Sequence, residues 1–280
     1  MTPESELAGP QPKRVSVIIV SFNRVDPLRQ SLKALGDAYQ ILVVDNGSRD
    51  GSPALEAEFP KARFIRLPKN FGLTKAMNIG VRAAEGEYIL FLHDDTLVSG
   101  EAVSRLADFL AARQDVGAVA PQLTTETGEP APQVRPLPTP AAPDPPLQPA
   151  RDGEETAAEC VSGAALMLRT FYLRALRQID ERYGVYGGAI ELCAQVRRSG
   201  KKIVVLRDVK AIHLALPSPL SRADLEGDRA AGTAGFLGKH HGFAAGMLYR
   251  IKTGLAGALT FRFKVAAGAF AGQKVDGGAS

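Results

Sequence analysis

One short apolar run that ends at two adjacent carboxylates constrains the fold of this chain more than any other feature. Residues 88–92, Tyr-Ile-Leu-Phe-Leu, are followed at once by His93, Asp94 and Asp95. A short apolar run with polar ends is typical of a buried strand in a parallel sheet. Ligands of open α/β sheets bind beyond the carboxyl ends of the strands. The run therefore predicts that Asp94 and Asp95 lie at a cleft, although an ordinary Asp-rich turn or helix cap gives the same pattern.

Polar residues follow two other predicted strands in the same way. Ser21, Phe22 and Asn23 come after residues 15–20, and Asp45 comes after residues 41–44. Strands alternate with helical patterns at a spacing typical of right-handed βαβ units. This alternation predicts an α/β fold with a mainly parallel central sheet flanked by helices. Paired carboxylates at the edge of such a sheet suit Mg²⁺ or Mn²⁺ bound together with phosphate oxygens.

The apolar periodicity predicts the individual elements. One helix is expected to begin at Asp26 as the cap and Pro27 as the first position, and another at Ser52 and Pro53. The remaining predicted helices are 73–84, 101–112, 170–177, 189–199 and a helical tail from 221 onward. The predicted strands are 15–20, 41–44, 64–67, 88–92, 118–120, 160–168, 202–206 and 210–214.

A proline-rich segment interrupts the alternation of strands and helices in the middle of the chain. Residues 130–149 contain nine of the nineteen prolines, which excludes a helix or a central strand and predicts a loop or an extended crossing segment. We therefore expect a disordered tail at 1–14, a first half at 15–122, a second half at 123–215 that includes the proline-rich loop, and a C-terminal helical extension at 216–280.

Charge and apolar content limit the classes of partner that the chain is expected to bind. The net charge of +4 favours anionic ligands, whereas the absence of a dense Lys/Arg block predicts no nucleic-acid partner. Cys160 and Cys193 form no short metal motif and are expected to be free thiols. No signal segment and no run of ~20 apolar residues is found, so we expect a cytoplasmic protein. Residues 243–272 are basic, and this stretch either packs on the domain or lies on an anionic membrane surface, peripherally on the inner membrane face.

Several motifs in a fixed order carry a resemblance to a known family. They are Val17 to Arg24, Val43 to Ser48, Asn70-Phe71-Gly72, Leu92 to Thr96 and the isolated His213. The chain resembles the family 2 glycosyltransferases, which have the GT-A fold, and its match is nearest to their bacterial rhamnosyltransferase-like branch. The resemblance covers residues 15 to about 245. It implies inverting transfer of a sugar from a nucleotide-diphosphate sugar, with UDP or dTDP as carrier, to a glycan or lipid-linked acceptor in cell-surface polysaccharide synthesis.

The resemblance also implies roles for the site residues. The metal, Mg²⁺ or Mn²⁺, would bind to Asp95 with Asp94 beside it. The nucleotide sugar would contact residues that follow the strands or begin the helix after Gly72, where a helix N-terminus favours phosphate. These predicted nucleotide-binding residues are Ser21, Phe22, Asn23, Asp45, Gly72, Lys75, Asn78, His93 and Asp94.

The chain departs from the family at the expected general base. Inverting members have an acid pair at the start of the helix after a Tyr-rich turn, and Gly188-Ala189 occupies that place here. Glu191 is the nearest acid, and its position leaves two orientations open, toward the cleft or toward water. His213 is the second candidate base, with a core histidine as its alternative. The sequence thus supports either a working transferase with a shifted base or a catalytically impaired relative that binds a nucleotide sugar or a partner.

Overall fold

The protein is described by a computed structural model over residues 14–36, 39–150 and 153–271. Apart from Arg14, the predicted disordered tail lies outside the described residues. The strands in these ranges are β1 (Val15–Ser21), β2 (Gln40–Asp45), β3 (Ala62–Arg66), β4 (Tyr88–His93), β5 (Thr96–Leu97), β6 (Val116–Thr124), β7 (Val134–Arg135), β8 (Glu155–Ala158), β9 (Cys160–Val161), β10 (Ala165–Arg169) and β11 (Lys202–His213). The helices are α1 (Val25–Leu35), α2 (Leu55–Glu58), α3 (Leu73–Ala83), α4 (Gly100–Ala112), α5 (Thr170–Ala175), α6 (Gly188–Arg198), α7 (Arg222–His241), α8 (Phe243–Leu259) and α9 (Phe263–Ala271).

A single large sheet organises the fold in the order β3-β2-β1-β4-β10-β6-β11-β5, with β8 also paired to β11. The first four strands in this order are parallel. β10 runs antiparallel to both β4 and β6, whereas β6 and β11 are parallel. The predicted α/β fold is confirmed, with the parallel part of the sheet concentrated on the side of β1 to β4.

Helices cover both faces of this sheet because successive strand residues point to opposite sides. On one face, Val17 and Ile19 of β1 belong to a core with residues of α1 and α4. On the other face, Ile18 belongs to a core with residues of α3 and α6. Gly80 of α3 lies against Ile18, where an added Cβ would come within 2.5 Å of the Ile18 side chain. A glycine is needed there because it lets α3 lie close to the sheet.

Several boundaries differ from the sequence predictions for local reasons. α1 begins at Val25 rather than at Pro27, and its first N–H donates to Asp50 Oδ2 at 3.0 Å instead of to an Asp26 cap. The helix predicted after Ser52 is a single 3-10 turn followed by four α-helical residues. The strand predicted at 160–168 is broken by a turn into β9 and β10, and the two strands predicted between 202 and 214 are one strand with a register shift.

The proline-rich segment 130–149 contains no helix, and its pairing is limited to β7 and to isolated bridges at Pro130 and Gln148. Gln133 fixes its start, because its side chain donates to the Pro121 carbonyl at 2.9 Å and accepts from the Leu123 N–H at 2.7 Å. Beyond the sheet, α7, α8 and α9 pack against one another as a helical extension. None of the described helices has the length and apolar character needed to span a membrane.

Candidate active site

The carboxyl ends of β1 and β4 place two acids and one cation together. Ser21 Oγ donates to Asp94 Oδ2 at 2.8 Å. The Arg24 guanidinium lies between the two acids, with Nε 3.2 Å from Asp94 Oδ1 and Nη2 2.9 Å from Asp95 Oδ2. All three charged side chains are nearly buried, with exposures of 12% for Arg24, 10% for Asp94 and 7% for Asp95. The sheet edge therefore holds a compact group of charges that water screens poorly.

A second strand end completes a group of metal-binding side chains. β11 ends at His213, which pairs with Thr96 and brings its Nε2 to 3.5 Å from Asp95 Oδ1. One ligating atom each from His93, Asp95 and His213 lies within 4.8 Å of the others. Imidazole nitrogens and a carboxylate suit Mn²⁺ and related divalent ions, and three protein ligands leave positions for phosphate oxygens. The donor set thus fits the metal that the sequence implies, with two histidines in place of Asp94.

Burial sets the charge of these groups. It lowers the pKa of His93 to about 4. It raises the pKa of Asp94 to about 6, although the charge of Arg24 acts in the opposite direction there. Burial also acts to raise the pKa of Asp95, but the hydrogen bond from His213 and the surrounding positive charges outweigh it and lower the pKa to about 2. At neutral pH the site therefore holds a neutral His93 and an ionised Asp95, the forms in which these side chains bind a metal.

A cleft of about 140 Å³ opens beside this group. Its wall is built by two buried asparagines, since Asn46 Nδ2 donates to Asn70 Oδ1 at 2.8 Å and Asn46 Oδ1 accepts from the Phe71 N–H at 2.9 Å. Gly72, at φ 87°, leads into α3, so that the N-terminus of this helix faces the cleft. The lining residues are Val20, Phe22, Arg24, Asn46, Asn70, Gly72, Leu73, His93, Asp94, Val185, Ser218, Pro219 and Leu220.

A strap of residues 214–220 crosses the same edge. The Leu214 N–H donates to the Asp95 carbonyl at 2.9 Å, and the Leu216 N–H donates to Asp95 Oδ2 at 3.1 Å. Arg24 Nη1 donates to the Pro217 carbonyl at 2.9 Å. Between these anchors, Ala215 has a φ of 50°, a conformation that is uncommon for residues with a side chain. The strap is thus attached to the same carboxylate and guanidinium that form the charged group.

Comparison with known proteins identifies the family. The model of the family described as glycosyl transferase family 2 matches residues 16–174. This chain belongs to glycosyltransferase family 2. Similar curated proteins include the undecaprenyl-phosphate 4-deoxy-4-formamido-L-arabinose transferase of Klebsiella pneumoniae (strain 342), 32% identical over 114 residues, and an N-acetylglucosaminyltransferase of Rhizobium meliloti (strain 1021), 34% identical over 122 residues. These matches cover 36% and 39% of this chain, and 35% and 28% of the relatives.

Solved structures support the fold at lower identity. The mannosyltransferase PcManGT from Pyrobaculum calidifontis, solved with GDP-Man and Mn²⁺, has a TM-score of 0.59 at 18% identity and covers 93% of this chain and 74% of its own. Residues 1–349 of TarS from S. aureus, solved with UDP-GlcNAc, have a TM-score of 0.56 at 17% identity, with coverages of 80% and 66%. The predicted GT-A fold is confirmed. The rhamnosyltransferase-like branch stays a prediction.

The predicted nucleotide-binding residues fall into two groups in this family 2 chain. Phe22, Gly72, His93 and Asp94 line the cleft, and Ser21 lies directly beneath Asp94. The others make internal contacts. Asn23 and Asp45 bond to the backbone or side chain of residues 48–49, and Lys75 Nζ lies 4.7 Å from the centre of the Phe71 ring. Asn78 is directed away from the cleft, where its amide bonds to both the N–H and the carbonyl of Ile179.

Glu191 takes neither of the two orientations that the sequence left open. It is completely buried, and it does not line the cleft. Its carboxylate accepts from Lys239 Nζ at 2.6 Å and lies 2.7 Å from His240 Nε2, both on α7. Burial acts against its ionisation, but the hydrogen bonds from Lys239 and His240 prevail and lower the pKa of Glu191. The sequence did not predict where the helical extension packs. Its position beside α6 explains why this acid is turned inward.

The position of the missing acid pair does lie at the site. A Cβ added at Gly163 would be 3.3 Å from Ala189 Cβ and 3.7 Å from His93 Nε2, so Ala189 borders the metal-binding group. Gly188 is packed under α3, where an added Cβ would come within 2.6 Å of Thr74 Cγ2. The family's base position is therefore present in space, and neither residue there can accept a proton.

Sequence reasoning missed four parts of the site. Arg24, Asn46 and Asn70 line the cleft, and all three stood inside motifs that were quoted for the family without a role. The strap 214–220 was not expected at the site at all. The signal for the asparagines was their position directly after a strand or before a helix, whereas the strap shows only two prolines and no chemical pattern.

Proposed function

We propose that this protein is a metal-dependent, inverting glycosyltransferase. It would move a sugar from a nucleotide-diphosphate sugar, with UDP or dTDP as carrier, to a glycan or lipid-linked acceptor in cell-surface polysaccharide synthesis. The observation that carries the proposal is the group of His93, Asp95 and His213 beside a cleft that the N-terminus of α3 faces. Support comes from the curated relative named for a transfer involving undecaprenyl phosphate and from the neighbours solved with nucleotide sugars.

Each part of the site has a task in this proposal. His93, Asp95 and His213 would hold Mn²⁺ or Mg²⁺, which when bound neutralises charge on the diphosphate that leaves with the nucleoside. The N-terminus of α3 favours phosphate through its partial positive charge. Asn46 and Asn70 keep the backbone of residues 70–72 in the shape that opens this terminus to the cleft. Burial excludes water from the acids and so strengthens these interactions.

The chain divides into functional parts within this proposal. Residues 15–122 would bind the donor, since they supply most of the cleft and two of the three candidate metal ligands. Residues 123–215, including the proline-rich segment 130–149, would bind the acceptor. Residues 216–280 would be the helical extension, and within its described part α7 secures Glu191.

A second candidate is favoured by one specific observation. Gly188 and Ala189 stand where the acid pair is expected, and Glu191 is bound to α7. A general base contributes typically ~10²–10⁴-fold in rate. The second candidate is therefore a relative that binds the nucleotide sugar and transfers it slowly, unless His213 accepts the acceptor proton.

Calorimetric titration of the protein with UDP, dTDP and GDP, with and without Mn²⁺, tests the donor site. We expect binding that requires the metal and is lost in Asp95→Ala. Asp26→Ala is the matched control, because this exposed carboxylate on α1 should leave binding unchanged. Failure of the wild-type protein to bind any nucleoside diphosphate in the presence of Mn²⁺ would refute the donor site.

Single-turnover transfer by wild type and Ala189→Asp separates the two candidates. If the missing acid limits the reaction, Ala189→Asp increases the rate of transfer while the affinity for the nucleotide stays the same. If His213 serves as the base, Ala189→Asp brings no gain and His213→Gln lowers the rate. Metal affinity is measured in each variant, because His213 is also a candidate ligand.

A further inference from the structure

The outer surface of α8 is apolar. This helix packs against α7 and α9 through its glycines, with Gly246 against Gly238 of α7, and Gly254 and Gly257 against residues of α9. Its large side chains point the other way, and Leu248 and Leu259 are 69% and 81% exposed. A surface helix of a globular protein ordinarily turns its large apolar residues inward.

These side chains form one continuous stripe. The exposed residues repeat at intervals of three and four, which places them on one side of a helix with 3.6 residues per turn. We call this set the α8 stripe, and its members are Met247, Leu248, Ile251, Leu255 and Leu259. Contiguous exposed apolar surface of this kind marks a site of interaction rather than ordinary scatter.

Two exposed phenylalanines follow α8, with Phe261 in the turn and Phe263 as the first residue of α9. Phe261 and Phe263 are 80% and 66% exposed, and their rings pack edge to face with centroids 6.2 Å apart. Phe261 has a φ of 56°, a conformation that is a genuine outlier for a bulky residue. A strained turn that presents two aromatic rings to the outside is typical of a functional segment.

The charged residues within residues 242–271 all have one sign. Residues 242–271 contain Arg250, Lys252, Arg262 and Lys264 and no Asp or Glu. Arg262 and Lys264 pair with acids of α7, whereas Lys252 follows Ile251 and lies at the edge of the α8 stripe. An apolar surface bordered by cations matches a bilayer with anionic headgroups. A symmetric contact between two copies would instead bring the two basic borders together with no acid from this segment to neutralise them.

We propose that the α8 stripe and the Phe261–Phe263 pair bind the surface of an anionic lipid bilayer. α8 would lie in the plane of the interface, with the stripe and the two rings at the level of the acyl chains and Lys252 among the headgroups. This proposal names a partner for the helical extension and does not depend on whether the protein transfers sugar.

Sedimentation with vesicles tests the proposal on the full chain. We expect binding to vesicles of phosphatidylcholine mixed with phosphatidylglycerol, weaker binding as salt increases, and weaker binding still to phosphatidylcholine alone. The double variant Phe261→Ser/Phe263→Ser should lower the partition coefficient by about tenfold or more, since each ring loses its burial in the bilayer. Lys252→Glu should weaken binding to the anionic vesicles specifically.

Two features make this experiment decisive. Phe171→Ser is the matched control, because Phe171 is 67% exposed on α5, which packs on β10. The chain has no tryptophan, so Phe263→Trp provides a single reporter whose emission should shift to the blue on anionic vesicles and be quenched by brominated lipid. Equal partition of wild type and the double variant, or an indole reporter whose emission stays that of a ring in water, would overturn the proposal. A lipid-free dimer that Leu248→Asp dissociates would overturn it in favour of a second copy.

Discussion

Replacing Arg24 with glutamine should destabilise the metal-free protein and make its stability depend on Mn²⁺. Arg24 is the cation between Asp94 and Asp95, and all three side chains are nearly buried. Removing one partner of a buried ion pair typically costs ~3–5 kcal/mol. The cost has a ceiling at Asp94, because its pKa of about 6 lets this carboxyl group take up a proton close to neutral pH once its cation is lost. We therefore expect Arg24→Gln to lower the free energy of unfolding by ~3 kcal/mol, the lower end of that range.

Urea unfolding with EDTA and then with Mn²⁺ measures this effect. A divalent ion bound at Asp95, His93 and His213 supplies positive charge beside the carboxylates that lose Arg24, and a ligand at a hundred times its dissociation constant stabilises by ~2.7 kcal/mol. Mn²⁺ should bind the variant more tightly than the wild type, because the metal no longer competes with a guanidinium. Arg29→Gln is the matched control, since Arg29 pairs with acids on the solvent-screened surface and its loss should change stability little and without any metal dependence. Equal stabilisation of wild type and Arg24→Gln by Mn²⁺ would refute the reasoning.

Three further predictions address the proposed acceptor half. Glu191→Gln should lower the free energy of unfolding by ~2–3 kcal/mol at pH 7, because it removes the buried charge to which Lys239 and His240 of α7 bond, while Lys239 keeps Asp180 as a second acid. The difference should shrink in acid, because stability from a carboxyl group with a lowered pKa is lost as the pH falls through that pKa. Gly188→Ala should lower the free energy of unfolding by ~1–3 kcal/mol through overpacking against Thr74, which thermal melts would measure. Gly235→Ala in α7 is its control and should be neutral or stabilising, because the added Cβ would be 3.6 Å from the nearest atom of the Tyr183 ring. Deleting residues 136–146 should impair acceptor use more than nucleotide binding, and equal loss of both would count against the proposed acceptor half.

Local patterns carried the parts of the site that were predictable. The apolar runs before Ser21 and Asp94 end where strands end, and parallel pairing of β1 with β4 brings these ends together. Local patterns do not predict the role of Arg24, because this role depends on the distance of its guanidinium from two acids that follow a different strand. The position of His213 is equally hidden from local patterns, because it depends on the pairing of β11 with β5, which sets His213 opposite Thr96 and beside Asp95.

Docking of the helical extension was the part that could not be predicted. Glu191 is an ordinary polar position in the periodicity of α6, and its partners lie on a helix 48 and 49 residues further along the chain. The energy that buries it comes from pairing with those partners, which no local pattern contains. The way α8 packs was unpredictable for a related reason, because this helix contacts α7 and α9 through its glycines rather than through its large apolar residues.

Packing accounts for the glycine at the missing base but not for the charged group at the sheet edge. Gly188 is required by its contact with Thr74, and Ala189 lies beside Gly163. Buried charges of the kind formed by Arg24, Asp94 and Asp95 contribute little to stability, because apolar side chains of similar volume do as well or better. Their arrangement beside two histidines is explained by a ligand that brings both a cation and phosphate. The structure thus gives a physical reason to expect donor binding whether or not transfer is fast. The rate of transfer then depends on which group accepts the proton of the acceptor hydroxyl, since Ala189 stands where the acid is expected and His213 is the remaining candidate.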